Sequence, residues 1–157
     1  MNTSATEYTD RSEIGALLSR YFAAVDDKRL DAETVAATFT PDGRVVRPNG
    51  AALVGWDAIL TGQNESFGRF RATHHMITDH IIDRDGDATR VRANMQAMHL
   101  WADGYRDPHE LLTHFVAGGV IHAVAVRTRD GWRLSEMGLR VTWRTGAGFA
   151  TMVKTGR

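Results

Sequence analysis

The sequence predicts an α+β fold in which N-terminal helices cover one face of a strongly curved antiparallel sheet. Three observations carry that expectation. Ile14, Leu17, Leu18, Tyr21, Phe22 and Val25 recur at helical spacing and form one apolar stripe. From Phe70 onward the chain changes to long runs of period two, separated by the turn signals Arg84-Asp85-Gly86-Asp87 and Arg129-Asp130-Gly131. The two regimes are segregated, helices first and strands after, rather than alternating. A curved antiparallel sheet closed on one side by helices encloses an internal pocket.

Size and composition narrow the function. A chain of 157 residues makes one domain with a sizeable core. Hydrophobic residues are 43% and charged residues 24%, as in an ordinary soluble protein. Lysine plus arginine number 19, and so do aspartate plus glutamate. No net basic field is available to attract nucleic acid or an anionic membrane. Cysteine is absent, which excludes disulfides, thiolate nucleophiles and Cys-based zinc sites. Met1 to Asp10 lacks the apolar segment of a signal peptide, and no apolar run reaches bilayer length. The expectation is a cytoplasmic protein acting on a small molecule, with neither nucleic acid nor membrane as partner. Residues 1–10 read as a flexible lead, 11–145 as the single domain, and 146–157 as a tail able to cover the pocket.

Taken in order, the first helix is expected from Ser12, its N-cap, with Glu13 near the positive helix end. At 100° per residue Asp26 stacks above Leu18 and Phe22 at the edge of the stripe, while Asp27 faces water. A second short helix is capped by Asp31 and buries Val35, Ala36 and Phe39. Pro41-Asp42-Gly43 is a turn signal. Arg44 to Arg47 is a short strand, ended by Pro48-Asn49-Gly50. A third helix spans Trp56 to Phe67, with Trp56, Ile59, Leu60 and Phe67 inward. The long strands are Phe70 to Asp83, Thr89 to Trp101, Leu111 to Arg127 and Trp132 to Trp143. In the second of these, Val91, Ala93, Met95, Ala97, His99 and Trp101 share one face. The third is apolar on both faces, so it is buried on both sides or forms an oligomer interface. That points to a homo-oligomer, a dimer or trimer. Its Gly118-Gly119 pair suggests a bend or bulge.

Polar groups aimed at an apolar interior are the informative ones. Asp26 lies at the helix edge, His75 near the start of one strand, and His99 on the inward face of the next. A hairpin joins the two strands, and the helix packs across them. A carboxylate beside an imidazole fixes its tautomer and stabilises its charged form, making a general acid–base unit near neutral pH. His99 taken singly reads equally as a core histidine satisfied by a carbonyl. Strand alternation puts His74 and His80 on the face opposite His75. His109 falls in a loop. His114 and His122 share a face, and His122, flanked by Val120 and Val124, is the one expected in the pocket. Tyr21, Met95, Trp101, His122 and Trp56 are the candidate substrate-holding residues. A zinc site from His74, His75, His80 and His99 would need Asp26 as a further ligand, and no helical ligand spacing supports it. The chain has no G-x-S-x-G elbow and no phosphate-binding glycine loop. No metal and no cofactor is expected.

Several landmarks occur together in order. They are Tyr21-Phe22-Ala23-Ala24-Val25-Asp26-Asp27, Phe39-Thr40-Pro41-Asp42-Gly43, Thr73-His74-His75, Met98-His99 and Asp130-Gly131-Trp132-Arg133. Over roughly residues 10–145 the chain resembles the SnoaL-like branch of the NTF2-like superfamily, and within it the scytalone dehydratases. The resemblance implies a cone-shaped α+β barrel with a deep pocket and no cofactor. It also implies that Asp26, His75 and His99 occupy the positions of the family's acid–base residues. The chemistry implied is a dehydratase-type lyase reaction on a small hydroxylated carbonyl compound, polyketide-, terpenoid- or steroid-like. Isomerisation or cyclisation at the same site is an alternative, and so is a non-catalytic small-molecule-binding domain. The sequence departs from the scytalone type at Val25 and Val46, where tyrosines are expected. It departs again at Val120 and His122, which stand where the resemblance expects a serine and an asparagine.

Overall fold

A computed structural model of the chain describes residues 3–148. Helix α1 (Thr3–Asp26) is followed by α2 (Ala32–Thr38), β1 (Phe39–Val46), β2 (Ala52–Val54) and α3 (Trp56–Phe67). The four long strands are β3 (Phe70–Asp85), β4 (Ala88–Trp101), β5 (His114–Thr128) and β6 (Gly131–Gly146). Together with β1 and β2 they form one sheet in the order β2-β1-β6-β5-β4-β3. Neighbours are antiparallel except β1 and β6, which run parallel. The segregated α+β architecture is therefore the one expected, with a parallel pair that local pattern could not reveal.

The apolar stripe of α1 packs on the inner face of the sheet, against β3 and β6 above all. Ile14, Leu18, Tyr21 and Val25 meet Ala93, Met95, Ile121 and Leu134 in one buried cluster. A second cluster, Phe70, Trp101, Phe115 and Ala117, closes one end, and Phe67 packs against both. Burial of large apolar side chains of this kind contributes about 1.5–3 kcal/mol each.

Several boundaries differ from expectation. The stretch read as a flexible lead is helical from Thr3, and Ser12 lies inside α1 rather than capping it. The cause is Asp10, which is buried and accepts hydrogen bonds from Trp132 Nε1 (3.0 Å) and Arg127 Nη1 (3.1 Å). A helical turn that turns a carboxylate inward leaves no apolar signal. Asp31 does cap α2, accepting the Thr34 N–H at 2.8 Å. Pro41-Asp42-Gly43 lies inside β1, where pairing jumps from Phe39↔Leu134 to Arg44↔Glu136. The turn chemistry appears as a bulge and not as a break.

Two phase errors matter for the site. On β5 the odd residues face inward, because His99 pairs with Phe115 and Ala97 with Ala117. His122 is thus on the outer face and exposed, opposite Arg92. A strand apolar on both faces gives alternation no phase to fix. On β3, Asp79 adopts φ 53°, and the pairing with β4 shifts between Thr78 and Ile81. Beyond this bulge the faces exchange. His80 turns toward α1, where a side chain at Gly15 would stand 3.9 Å from its ring. It does not share the outer face with His74. At the other end, the Ala147 N–H donates to the His114 carbonyl (3.0 Å) and its carbonyl accepts from Trp101 Nε1 (2.8 Å). The Phe149 to Val153 stretch expected to cover the pocket lies outside the described residues.

Candidate active site

The site begins where α1 ends. Lys28 takes φ 55°, and the Arg29 N–H donates back to the Ala24 carbonyl (2.9 Å), which stops the helix. The Lys28 ammonium then donates to the Phe70 carbonyl at 2.6 Å and fastens the helix end to the start of β3. Asp26 is thereby held against Thr73 and His75. Its carboxylate accepts from Thr73 Oγ1 (2.8 Å), from the His75 backbone N–H (2.8 Å) and from His75 Nδ1 (2.6 Å). The side chains are 18% and 2% exposed for Asp26 and His75. Burial by itself would raise the Asp26 pKa. The hydrogen bonds and charge from His75, with Thr73, outweigh burial and hold it below the usual carboxylate range. An ionised carboxylate only accepts, so Nδ1 carries a proton, and in the neutral ring the lone pair sits on Nε2.

The His75 ring is held by Phe22 and Phe67, at centroid distances of 4.8 and 5.5 Å. His99 meets it edge to face at 5.6 Å and stacks on Phe115 at 4.2 Å. His99 is buried. Among the described residues its Nδ1 has no well-placed hydrogen-bond partner. Burial, followed by the positive charge of His75, pushes its pKa down to about 3; Asp26 only partly offsets this. His99 is therefore neutral near pH 7.

Both histidines line a cavity of about 840 Å³, with Met95, Phe115 and Ile121 among its apolar walls. Asp26 is not part of that lining. It opens instead on a separate polar cleft that includes Thr73 and the other side of His75. The pair thus spans a wall, with the carboxylate behind and the imidazole in front. Among the described residues, no group of three or more histidine, aspartate or glutamate side chains could hold a metal ion. No helix there is long and apolar enough to cross a membrane.

A family model described as a SnoaL-like domain matches residues 6–138. The chain belongs to the SnoaL-like family. The fold of this SnoaL-like protein is that of NTF2-like superfamily proteins. It is similar to the uncharacterized protein Rv2910c of Mycobacterium tuberculosis, with 30% identity over 83% of this chain and 84% of that one. A scytalone dehydratase candidate from Novosphingobium aromaticivorans superposes with TM-score 0.77 at 22% identity, covering 92% of each chain. The hexachlorocyclohexane dehydrochlorinase LinA-type3 from Novosphingobium barchaimii superposes with TM-score 0.78 at 15% identity, covering 92% of this chain and 94% of that one.

The structure brings Asp26, His75 and His99 of this SnoaL-like protein together. Of the candidate substrate-holding residues, only Met95 lines the cavity. Tyr21 lies fully buried behind the wall; its hydroxyl accepts from Gln63 Nε2 at 2.5 Å, and burial pushes its pKa far up. Trp101 belongs to the end cluster. Trp56 is 38% exposed and spends its indole N–H on the Phe39 carbonyl (3.0 Å). His122 is outside, and Val120 shares its strand face, so neither compares with a pocket residue. The cavity-facing positions of β5 are Phe115, Ala117 and Ile121. Val46 does line the cavity, whereas Val25 is core. Gln63 and Arg47 are lining residues the sequence reading missed. Gln63 was recoverable, since it lies one helical turn after the buried Ile59 and so shares its face.

Proposed function

We propose that this protein is a cofactor-independent acid–base lyase of the dehydratase type, acting on a small hydroxylated carbonyl compound. The observation that carries the reading is the 2.6 Å Asp26–His75 pair, whose imidazole lines a large, mainly apolar cavity. His75 Nε2 takes a proton from the carbon next to the carbonyl, and Asp26 stabilises the imidazolium. The enolate expels the β-hydroxyl, and His75 returns the proton to it. One C–H and one C–O bond break, a C=C bond forms, and water leaves. His99 is too depressed in pKa to hold a spare proton at pH 7, so its part is a hydrogen bond from a neutral ring, not acid catalysis. Two proteins of the same fold carry the names of eliminations, a dehydratase and a dehydrochlorinase, which agrees with this chemistry.

Isomerisation or cyclisation would use the same His75 proton transfer without loss of water. A non-catalytic binding domain is the weaker reading, because the cavity is open and Asp26 faces His75. The test is to incubate the protein in D₂O with a panel of β-hydroxy ketones and thioesters and follow mass. Loss of one water supports the dehydratase, and deuterium uptake at unchanged heavy-atom composition supports the isomerase or cyclase. His75→Asn should slow either by about 10²–10⁴-fold. Turnover unaffected in that variant overturns the site.

A homo-oligomer is part of the same proposal. Met76, Met98 and Trp143 are each nearly half exposed on β3, β4 and β6, and Met98 pairs with Val116 of β5. Light scattering at micromolar concentration should give a dimer or trimer; a monomer removes this part.

A further inference from the structure

We propose that the cavity binds an organic anion: an apolar body lying against Met95, Phe115 and Ile121, and one carboxylate-type group held by Arg47 and Arg69. The inference rests on the reading of this cavity as the substrate site, but not on elimination as its reaction. Four arginines, Arg47, Arg69, Arg140 and Arg144, line the cavity, and no aspartate or glutamate does among the described residues. Yet the chain as a whole balances 19 basic against 19 acidic residues, so this segregation is local.

Arg47 and Arg69 come from different elements and are fastened to the same turn of α3. Arg47 Nη2 donates to the Gly62 carbonyl (2.8 Å) and to Ser66 Oγ (3.0 Å). Arg69 Nε donates to the Ser66 carbonyl (3.2 Å). The carbonyl-rich end of a helix attracts a cation, but one guanidinium would suffice. Burial followed by the charge of Arg47 holds Arg69 below its usual pKa, so the two guanidiniums stand close enough to repel. Among the described residues Arg47, Arg140 and Arg144 do not pair with a carboxylate. Fixed guanidiniums facing a partly desolvated space are suited to an oxyanion.

The anionic group belongs at a distance from the reacting carbon. A carboxylate on that carbon would oppose its deprotonation by forming a dianion. The guanidiniums would then act as a handle bound equally in ground and transition states, so their removal raises KM and spares kcat.

The experiment uses two fluorescent probes with the same aromatic body, anilinonaphthalene sulfonate and the uncharged phenylnaphthylamine. Wild-type protein should bind the sulfonate more tightly. That preference should shrink as NaCl rises from about 20 to about 500 mM. Arg47→Gln should weaken the sulfonate about 10- to 100-fold and the uncharged probe less than about threefold. Equal losses for both probes, or a salt-insensitive preference, would mean the arginines only cap α3 and would overturn the proposal. If Arg47→Gln does not fold, the wild-type salt titration and Arg69→Gln, with the same selective loss expected, decide it. Sulfonate binding that behaves as expected, without turnover of any β-hydroxy carbonyl compound, would keep this proposal and remove the elimination, so the two stand or fall separately.

Discussion

Helix α1 carries two inward carboxylates, Asp10 near its start and Asp26 at its end. Their side chains are similarly shielded, 11% and 18% exposed, and each accepts several hydrogen bonds. Asp10 meets an indole and the guanidiniums of Arg127 and Arg84. An indole and guanidiniums are donors only, so the cluster is a staple between α1 and the sheet. Asp26 meets an imidazole whose other nitrogen can accept a proton, and that ring lines the cavity. Burial and hydrogen-bond count do not separate a structural carboxylate from a chemical one. The partner's proton affinity does, together with what lies on its far side.

The largest expected contrast is in turnover. Asp26→Asn, which gives His75 the wrong partner for its tautomer, should lower the rate of proton abstraction by about 10²–10⁴-fold. Asp10→Asn should leave the rate per folded molecule unchanged, measured by deuterium exchange into a reactive ketone. Equal losses would erase the distinction. In stability the order reverses. Asp10→Ala leaves the buried Trp132 indole unpaired and should cost about 1–3 kcal/mol in urea unfolding. Arg84→Gln should cost less than about 1 kcal/mol, because Arg84 is 69% exposed. A larger loss there would mean that exposed ion pairing, not the indole, holds the staple.

A pH titration of stability separates the two ends further. The unfolded chain protonates His99 below its ordinary value of 6.5, while the folded chain resists until about 3. Folding stability should therefore fall as pH drops through that window, by at most about 1.4 kcal/mol per pH unit. Asp26, with its lowered pKa, adds a loss only below its ordinary 3.8. His99→Phe should flatten the decline between about pH 6.5 and 4. If the slope persists in that variant, His99 is not its source.

What was legible in the sequence was whatever interrupted a clear period. His99 breaks the apolar face of β4, and Asp26 sits at the edge of a helical stripe, so both stood out; the hairpin joining the two strands put His75 with them, and the family resemblance implied the same trio. His122 was misplaced because β5 is apolar on both faces and period two has no phase there. His80 was misplaced because one left-handed residue, Asp79, exchanges the faces of β3. Asp10 was invisible because its buried turn is polar. Arg47 was not singled out because nothing local marks where an arginine at a strand end will point. The parallel β1–β6 contact joins residues far apart in sequence, which no local pattern encodes.

That contact also sets an order of assembly. The chain segments that bring Asp26 to His75 emerge earlier in synthesis than β6, which contributes the wall from Gly138 to Arg144 and whose Leu134 to Gly138 stretch docks on β1 across most of the chain. Distant pairings carry the highest loop-closure cost and form late. The Asp26–His75 pair can exist before the cavity wall around it does. Destabilising the β1–β6 seam should therefore slow completion of the cavity more than formation of the pair, leaving a transient state with the pair but no enclosure.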